Sequence, residues 1–273
     1  MAGVLAAQLR DCGGATVVMT ATSTPQENTK IMKMCDMKED TVVIRRSPIT
    51  ENHMFIKLVR PPSIHGFESD PSSVDCLATE DILCRIVLDS YIEDILADRK
   101  PKTIMIFVQS FKELNAINRL LLLKLEDHLQ GKTKPWAINH SDLGSRTKSE
   151  LFSRMEAGEI SLFITTSVML CGVDLPCVDI VVILRPFGHL GSFVQAGGRG
   201  GRIRSDGMKS LVAVYMLFNA TDIRDSAQFV TPPVRAFFRK DTCTRQMLHH
   251  YFCPELVNQM PPNKDWCCDV CNI

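Results

Sequence analysis

The chain lacks net charge, because its 31 Lys and Arg residues balance 31 Asp and Glu residues. It therefore has no overall field that would draw it to an acidic polymer, and any such partner must meet a local patch. The sequence also lacks an apolar run of the ~18 residues needed to cross a bilayer, and its start shows no basic flank followed by an apolar core. We expect an intracellular chain with no membrane contact.

The number and positions of the cysteines also do not indicate a disulfide framework. The eleven cysteines are an odd number, and several stand in apolar contexts such as Leu83-Cys84 and Leu170-Cys171. Reduced thiols are the ordinary state inside cells. The cysteines clustered near the C-terminus are therefore free to bind a metal.

Strand-like and helix-like segments alternate along most of the chain. Short β-branched or apolar runs predict strands, and apolar residues in helical rhythm predict helices between them. Such alternation predicts right-handed crossovers and a mostly parallel α/β sheet covered by helices on both faces. The predicted strands are residues 53–59, 103–108, 136–140, 161–166, 178–184 and 210–218, and the predicted helices are residues 80–97, 111–130 and 146–157.

The first residues carry their own local signals. Residues 15–20 predict a short buried strand. Thr24, Pro25 and Glu27 supply a cap, a first-turn proline and a capping-box glutamate, which predict a helix to about Cys35.

Residues 195–202, here called the Gly-Arg segment, read Gln-Ala-Gly-Gly-Arg-Gly-Gly-Arg. Arg199 and Arg202 offer planar forks of donors suited to phosphate, and the glycines let backbone approach a ligand closely. A flexible linker or an RGG-like RNA-binding tail would also fit these residues alone. The buried strand predicted just before the segment favours a folded site. Residues 185–240 add nine Lys or Arg against three Asp and no Glu, although a solvated basic surface would look the same.

The order of motifs resembles a known family. The sequence contains, in this order, Thr165-Thr166, Gly172-Val173-Asp174, and the pattern Q-x-x-G-R-x-G-R formed by Gln195, Gly198, Arg199, Gly201 and Arg202. These segments resemble motifs V and VI of superfamily 2 helicases. The C-terminal residues Cys243-Thr244-Arg245, Tyr251-Phe252 and Cys268-Asp269-Val270-Cys271 resemble the zinc-binding subdomain of RecQ-type DNA helicases. The resemblance runs from about Thr16 to Cys271. It implies a RecA-like lobe followed by a small helical zinc-binding subdomain.

The resemblance also implies roles for individual residues. Arg202, Arg199 and Gln195 would be the catalytic residues of this chain: Arg202 would be the arginine finger on the γ-phosphate of ATP, and Arg199 would link the nucleotide to the DNA-binding surface. The nucleotide would also be approached by Gly172, Asp174, Gly198 and Gly201. The nucleic acid would be met by Thr20 and Thr22 of motif III, Ser110 of motif IV, and Thr165 and Thr166 of motif V. Each of these could instead be an ordinary turn or capping residue.

Ligands of open α/β sheets gather at the carboxyl ends of the strands. We therefore expect Ser110, Thr165, Thr166 and a loop running from Arg185 into the Gly-Arg segment to share that edge.

A structural Zn²⁺ site needs four tetrahedral thiolate or imidazole ligands. Cys243, Cys268 and Cys271 match the family pattern. For the fourth ligand we favour Cys267, with Cys253 as the alternative. Free buried thiols are the competing interpretation.

The sequence has no match to the P-loop G-x-x-x-x-G-K-[ST] and none to an acidic D-E-x-H box. Gly131-Lys132-Thr133 resembles the end of a P-loop, but Glu126 stands where glycine is required. We therefore expect residues 1–45 to be a remnant of a first RecA-like lobe, residues 46–222 to be a second lobe, and residues 223–273 to be the zinc-binding subdomain.

On this interpretation the chain is a fragment or truncated product that shares ATP and Mg²⁺ with a first lobe supplied in cis or in trans. The expected function is the C-terminal half of a 3′ to 5′ DNA helicase of repair or recombination, acting on single-strand/duplex junctions in the nucleus. The alternatives are a non-catalytic DNA-binding or interaction module and an RNA helicase fragment.

Overall fold

A six-stranded parallel sheet forms the centre of the protein, in a computed structural model that describes residues 17–20, 22–60, 82–130, 132–170, 178–201, 210–255 and 267–271. The spatial order of the strands is β1-β6-β5-β2-β4-β3. The predicted parallel α/β fold is therefore confirmed. The strands are β1 His53–Val59, β2 Ile104–Phe107, β3 Trp136–Asn139, β4 Leu162–Thr165, β5 Ile180–Ile183 and β6 Val212–Phe218.

Helices connect the strands and cover the sheet. A π-helical turn, Cys84–Leu88, runs directly into α2, and a 3₁₀ turn, Ser167–Leu170, follows β4. The α-helices are α1 Pro25–Met34, α2 Asp89–Leu96, α3 Phe111–Leu125, α4 Ser145–Glu156, α5 Leu190–Gly197, α6 Pro232–Arg239 and α7 Thr244–Phe252. None of the helices in the described part of the chain is long and apolar enough to cross a membrane.

The sheet separates two apolar cores. Alternate residues of β2 show this division, because Ile104 and Ile106 point to the core shared with α2 and α3, whereas Met105 and Phe107 point to the core shared with α5, α6 and α7. All four β2 residues are buried, as expected of a central parallel strand. Burial on both faces explains why continuous apolar runs in the sequence located the central strands.

The first helix follows its sequence signals, whereas the strand predicted before it does not form. Thr24 Oγ1 accepts the Glu27 N–H at 3.2 Å, and Glu27 Oε2 accepts the Thr24 N–H at 2.7 Å. Residues 17–20 form no strand, and Val17 and Met19 are 79% and 89% exposed. The backbone N–H and C=O groups of a strand need a neighbouring strand as hydrogen-bond partner, and no described strand pairs with these residues. Residues 15 and 16 lie outside the described residues.

The segment after β5 corrects a second expectation. It was predicted to be a loop that carries the Gly-Arg segment along the carboxyl edge of the sheet, but it folds into α5, which includes Gln195. Two glycines in this helix cost about 1 kcal/mol each. Burial of Leu190, Phe193 and Val194 stabilises it by about 1.5–3 kcal/mol per side chain, which outweighs that cost. Tertiary packing therefore overrides the low helix propensity, and α5 returns the chain to the amino edge.

Candidate nucleotide and nucleic-acid interface

Gly200 and Gly201 of the Gly-Arg segment lie at the amino edge of the sheet. Gly200 forms a parallel bridge with Val178, which precedes β5, and the Gly201 N–H donates to the Val178 carbonyl at 3.4 Å. A Cβ on Gly200 would lie 2.7 Å from both the Val178 carbonyl oxygen and Val212 Cγ1. Glycine is therefore required here for close packing against the sheet. The prediction that the Gly-Arg segment lies at the carboxyl edge is wrong, because α5 runs from that edge back to the amino edge before the chain reaches Arg199.

Gln195 contacts the N-terminal segment. Its Nε2 donates to Thr22 Oγ1 at 3.0 Å, across 173 positions of sequence. Thr20 is exposed, and its hydroxyl donates to the Thr22 carbonyl at 3.2 Å. The structure thus brings Gln195 of the Gly-Arg segment into contact with the segment that resembles motif III. Beside them is a mainly polar cavity of about 180 Å³, lined by Thr22, Glu27, His189, Ser192 and Gln195 among others.

Arg199 reaches back toward β4. One of its terminal nitrogens donates to the Leu170 carbonyl, at the end of the 3₁₀ turn that follows β4. Gly198 is the exposed C-cap of α5. Three predicted nucleotide residues, Arg202, Gly172 and Asp174, lie outside the described residues.

Asn52 contacts the Gly-Arg segment, and the sequence analysis missed it. Its buried Nδ2 donates to the carbonyls of Gly201 at 2.8 Å and Ser210 at 2.7 Å. The residue comes just before β1, 149 positions ahead of Gly201. A lone asparagine next to a strand gives no periodic signal, so only the fold could reveal this contact.

The carboxyl edge holds the predicted nucleic-acid residues of β2 and β4. Ser110 caps α3, since its hydroxyl accepts the Glu113 N–H at 3.3 Å while Glu113 accepts the Ser110 N–H. Thr165 is fully buried, and its hydroxyl donates to the Thr166 carbonyl at 3.0 Å. Thr166 is partly exposed. Ser110 and Thr166 are the members of this group whose side chains reach the surface.

Two ion pairs lie at the same carboxyl edge of the sheet. Arg60 follows β1 and donates to both carboxylate oxygens of Asp222, which comes after β6, at 2.8 and 2.7 Å. Arg185 follows β5 and pairs with buried Glu113 of α3. Burial lowers the pKa of Arg60, while the neighbouring Asp222 carboxylate raises it. Buried charges need such partners, so the first pair ties the end of β1 to the turn after β6 and the second ties the end of β5 to α3.

Four cysteines converge in the C-terminal region. The Sγ atoms of Cys243, Cys267, Cys268 and Cys271 all lie within 4.8 Å of one another. The distance from Cys243 Sγ is 3.6 Å to Cys267 Sγ and 3.8 Å to Cys268 Sγ. Ligands of a tetrahedral Zn²⁺ with Zn–S bonds of about 2.3 Å would be about 3.8 Å apart. The group has the number, chemistry and spacing of a four-thiolate metal site.

Cys253 is not part of this group. It is buried at the C-cap of α7, where its thiol lies 3.6 Å from the Arg46 carbonyl. Cys267, the favoured fourth ligand, is the one that the structure brings to the cluster.

The surroundings of Cys268 favour its thiolate. A hydrogen bond with Cys243 lowers the pKa of the Cys268 thiol to about 4, and backbone N–H groups of Cys271, Thr244 and Val270 act in the same direction against the effect of burial. Cys243 is the N-cap of α7, where its sulfur accepts the Gln246 N–H at 3.4 Å. Metal binding requires deprotonated thiols. The hydrogen bond with Cys268 and burial raise the pKa of the Cys243 thiol, and burial raises that of Cys271 to about 11, so Cys268 is the cysteine whose thiolate is favoured without a metal.

The cysteine cluster is joined to β1. Cys268 forms a parallel bridge with Phe55, and the backbone N–H of Phe55 and Asp269 donate to the carbonyls of Cys267 and Phe55 at 3.3 and 3.2 Å. Arg245, in the first turn of α7, is buried and donates to the carbonyl oxygens of Thr50, Glu51 and His53. The arginine of the Cys-x-Arg signature therefore anchors the cysteine-rich region to the residues that lead into the sheet.

His53 lies between this anchor and the Gly-Arg segment. Its Nδ1 is 2.5 Å from Thr50 Oγ1. The pKa of His53 is lowered to about 4, mainly by burial and also by the charge of Arg245, while hydrogen bonds with the backbone of Gly200 and Gly197 act in the opposite direction. The imidazole is neutral at pH 7 as a result.

Comparisons with known proteins agree with this architecture. Residues 85–204 match the family model described as the helicase conserved C-terminal domain. The S. cerevisiae Dbp5 structure bound to RNA and ADP BeF3 aligns with a TM-score of 0.50 and 16% identity, over 81% of this chain and 48% of that one. The Mycobacterium smegmatis helicase Lhr bound to ssDNA and AMP-PNP aligns with a TM-score of 0.43 and 16% identity, over 63% of this chain and 20% of that one.

The parallel sheet and the matched domain agree on the fold. The chain has the RecA-like fold of a helicase C-terminal lobe and resembles superfamily 2 helicases. It spans about half the length of the Dbp5 chain that it matches. No curated protein sequence matches it.

Proposed function

We propose that this chain is the C-terminal motor half of an ATP-dependent 3′ to 5′ DNA helicase of the RecQ type, which works with a first RecA-like lobe in cis or in trans. The observation that carries the proposal is the hydrogen bond from Gln195 to Thr22. It joins the Thr-Ala-Thr segment, where the sequence resembles motif III, to the Gly-Arg segment, where it resembles motif VI. Those two motifs must cooperate if nucleotide state is to control the grip on nucleic acid.

Nucleotide binding is assigned to the amino edge. In the proposed complex ATP and Mg²⁺ are held by the first lobe, and Arg202 and Arg199 approach the phosphates from this chain. An arginine that neutralises charge on the γ-phosphate contributes about 10³–10⁵ in rate. The cavity beside Gln195, about 180 Å³, is smaller than the roughly 300–1,000 Å³ of ordinary ligand pockets. A second lobe would complete such a site.

Nucleic-acid binding is assigned to the carboxyl edge, through Ser110 and Thr166. Thr165 would contribute through its backbone, because its side chain is buried. The two ligands therefore use opposite edges of one sheet. Arg199 connects the Gly-Arg segment to the 3₁₀ turn that follows β4, since its guanidinium donates to the Leu170 carbonyl.

Zinc is the proposed metal of the four-cysteine cluster. Soft thiolates select Zn²⁺ over Mg²⁺ and Ca²⁺, and a site with four protein ligands leaves no open position for catalysis. Its role would be structural, holding residues 267–271 and α7 against β1. This module favours DNA over RNA as the substrate, because it belongs to the RecQ-type resemblance.

A non-catalytic DNA-binding module is the second candidate. The observation in its favour is that these 273 residues contain no P-loop. Both candidates predict DNA binding, but only the helicase half predicts ATP hydrolysis with a partner.

The test is DNA-stimulated ATP hydrolysis by this chain, alone and mixed with a separately produced first lobe of a RecQ-type helicase. We expect no hydrolysis by the chain alone and DNA-dependent hydrolysis by the mixture. Matched single-stranded RNA in place of DNA should stimulate weakly. If both parts fold and associate and the mixture stays inactive, the helicase proposal fails. Stimulation by RNA alone would instead favour an RNA helicase.

A further inference from the structure

Phe111 is an exposed aromatic residue at the carboxyl edge of the sheet. It is the first residue of α3, directly after the Ser110 cap, and 46% of its surface is accessible. Its ring contacts the ring of His140, which follows β3, with centroids 4.9 Å apart and ring planes at 83°. We propose that this ring pair, here called the Phe-His platform, stacks a base of single-stranded DNA.

The local structure does not account for an aromatic residue at position 111. The cap of α3 is made by Ser110 and Glu113, which exchange hydrogen bonds. Phe111 belongs to neither apolar core, whereas Leu114, one turn further along the helix, is 2% exposed. A polar residue in place of Phe111 would leave both the cap and the cores intact. The phenyl ring is therefore available for a ligand.

His140 holds the phenyl ring in one orientation. Perpendicular aromatic pairs are favourable when their centroids are about 4.5–7 Å apart. A perpendicular neighbour covers at most one face of the phenyl ring, so part of Phe111 stays open to solvent. The Nδ1 atom of His140 is buried and forms no hydrogen bond in the part of the chain that the structure describes. Packing against Phe111 therefore orients the imidazole, and the two rings fix each other.

The Phe-His platform lies beside the end of β4. Phe111 comes after β2 and His140 comes after β3, and β4 stands between these two strands in the sheet. Their contact therefore spans the end of β4, where Thr166 is partly exposed. The Thr166 N–H donates to the Asn139 carbonyl at 3.3 Å, which ties this end to β3. A DNA strand that contacts Thr166 would pass within reach of the rings.

An unpaired base is the ligand that suits this platform. Every base has a flat π-face, and stacking on an aromatic side chain strengthens binding by roughly fivefold to 150-fold per base. Bases inside a duplex are already stacked on one another, so the single strand is the form that offers a free face. Lys112, the next residue, is exposed and suits the adjoining phosphate.

This inference rests on the proposed assignment of nucleic acid to the carboxyl edge. Ser110 and Thr166 offer hydroxyl groups, which suit the sugar-phosphate backbone. The platform adds a contact with the base itself. Because a phenyl ring has no hydrogen-bonding group, this contact should not distinguish one base from another.

Binding of a fluorescein-labelled oligothymidylate to the full chain tests the platform. Phe111→Ala should weaken binding about tenfold, and Phe111→Leu nearly as much, because leucine is apolar but has no π-face. Phe111→Trp should bind at least as tightly as wild type. Leu123→Ala is the matched control, since Leu123 is 67% exposed and lies near the other end of the same helix. It should leave the affinity unchanged.

Two further measurements separate base stacking from a general effect on binding. An abasic strand of the same length keeps the phosphates but has no bases, so wild type and Phe111→Ala should bind it equally. The tryptophan fluorescence of Phe111→Trp should be quenched by oligothymidylate, beyond any quenching in wild type, whose own tryptophans are Trp136 and Trp266.

The contrary results are specific. Equal affinities of wild type and Phe111→Ala for oligothymidylate would overturn the proposal, and so would an equal loss on the abasic strand. Full binding by Phe111→Leu would replace stacking with simple apolar contact. His140→Ala should weaken binding about threefold, as for the loss of an aromatic pair. An unchanged affinity in that variant would overturn the positioning role of the imidazole.

These measurements do not depend on ATP hydrolysis. If binding depends on Phe111 but the mixture with a first lobe is inactive, the platform stands and the helicase proposal fails. If wild type and Phe111→Ala bind equally well, the platform fails and the helicase proposal is unaffected. A folded wild-type chain that binds no oligothymidylate at low salt would overturn both the platform and the assignment of nucleic acid to the carboxyl edge.

Discussion

Asp222 accepts two hydrogen bonds from a single nitrogen of Arg60, and both side chains are buried. The pair connects the end of β1 to the turn after β6, two neighbouring strands. Removing one partner leaves the other charge desolvated and unpaired, which typically costs about 3–5 kcal/mol.

We therefore expect Asp222→Ala to lower the free energy of unfolding by about 3–5 kcal/mol in urea titrations. Asp225→Ala is the matched control, because Asp225 is 83% exposed and pairs with Arg239 at the surface. That change should cost less than about 1 kcal/mol. Equal losses of unfolding free energy in the two variants would show that the buried pair stabilises the fold no more than the surface pair does.

Metal content provides a second prediction. Purified protein should contain about one zinc per chain, and Cys268→Ser should lose it because only three thiolates remain. Cys253→Ser should keep the metal, since Cys253 lies outside the cluster. Elemental analysis and release of zinc to a colorimetric chelator provide the measurements. A folded wild-type protein without metal, or loss of metal in the Cys253 variant, is the contrary result.

The buried imidazole of His53 predicts a pH dependence of stability. Its folded pKa of about 4 is below the ordinary value of 6.5, so the unfolded chain takes up the proton first as pH falls. The contribution is fully present above pH 6.5 and is lost progressively between pH 6.5 and 4, for a total of roughly 3 kcal/mol.

Substitution isolates this contribution from other acid-sensitive groups. His53→Gln should flatten the stability profile between pH 6.5 and 4 relative to wild type, whereas His250→Gln, at an exposed position, should not. Unfolding titrations at fixed ionic strength and zinc concentration give both profiles. Parallel profiles for wild type and His53→Gln would contradict the assignment.

Ser110 caps α3 in the structure and is proposed to contact nucleic acid. Aspartate caps helices as well as serine does, so Ser110→Asp should change stability by less than about 0.5 kcal/mol. Its negative charge should weaken binding of single-stranded DNA about threefold to tenfold at low salt. Fluorescence anisotropy measures the affinity. Thr133→Asp is the control, because it adds the same charge at an exposed position before β3, on the amino side of the sheet. Equal weakening by both variants would remove Ser110 from the proposed interface.

The strands were predictable because each carries its own signal. β5 and β2 are continuous apolar runs buried on both faces, and their ends agree with prediction within two residues. The cap of α1 was predictable for a similar reason, because Thr24 and Glu27 are three positions apart and hydrogen-bond to each other. Short-range patterns of this kind are independent of the rest of the fold.

The failures arise from long-range effects. α5 is held by burial of Phe193 and its neighbours against the sheet, although its glycines oppose a helix. Because this helix was missed, the Gly-Arg segment was assigned to the wrong edge. The contacts of Asn52 and Arg245 join residues about 150 to 195 positions apart and could not be anticipated from spacing.

The bridge between Phe55 and Cys268 has a consequence for behaviour in solution. β1 stands at one end of the strand order, and an open strand edge invites pairing with other chains and aggregation. Residues 267–269 occupy part of that edge through backbone hydrogen bonds. If the cluster holds the proposed zinc, a chelator should release residues 267–269 from this edge and promote self-association of the protein.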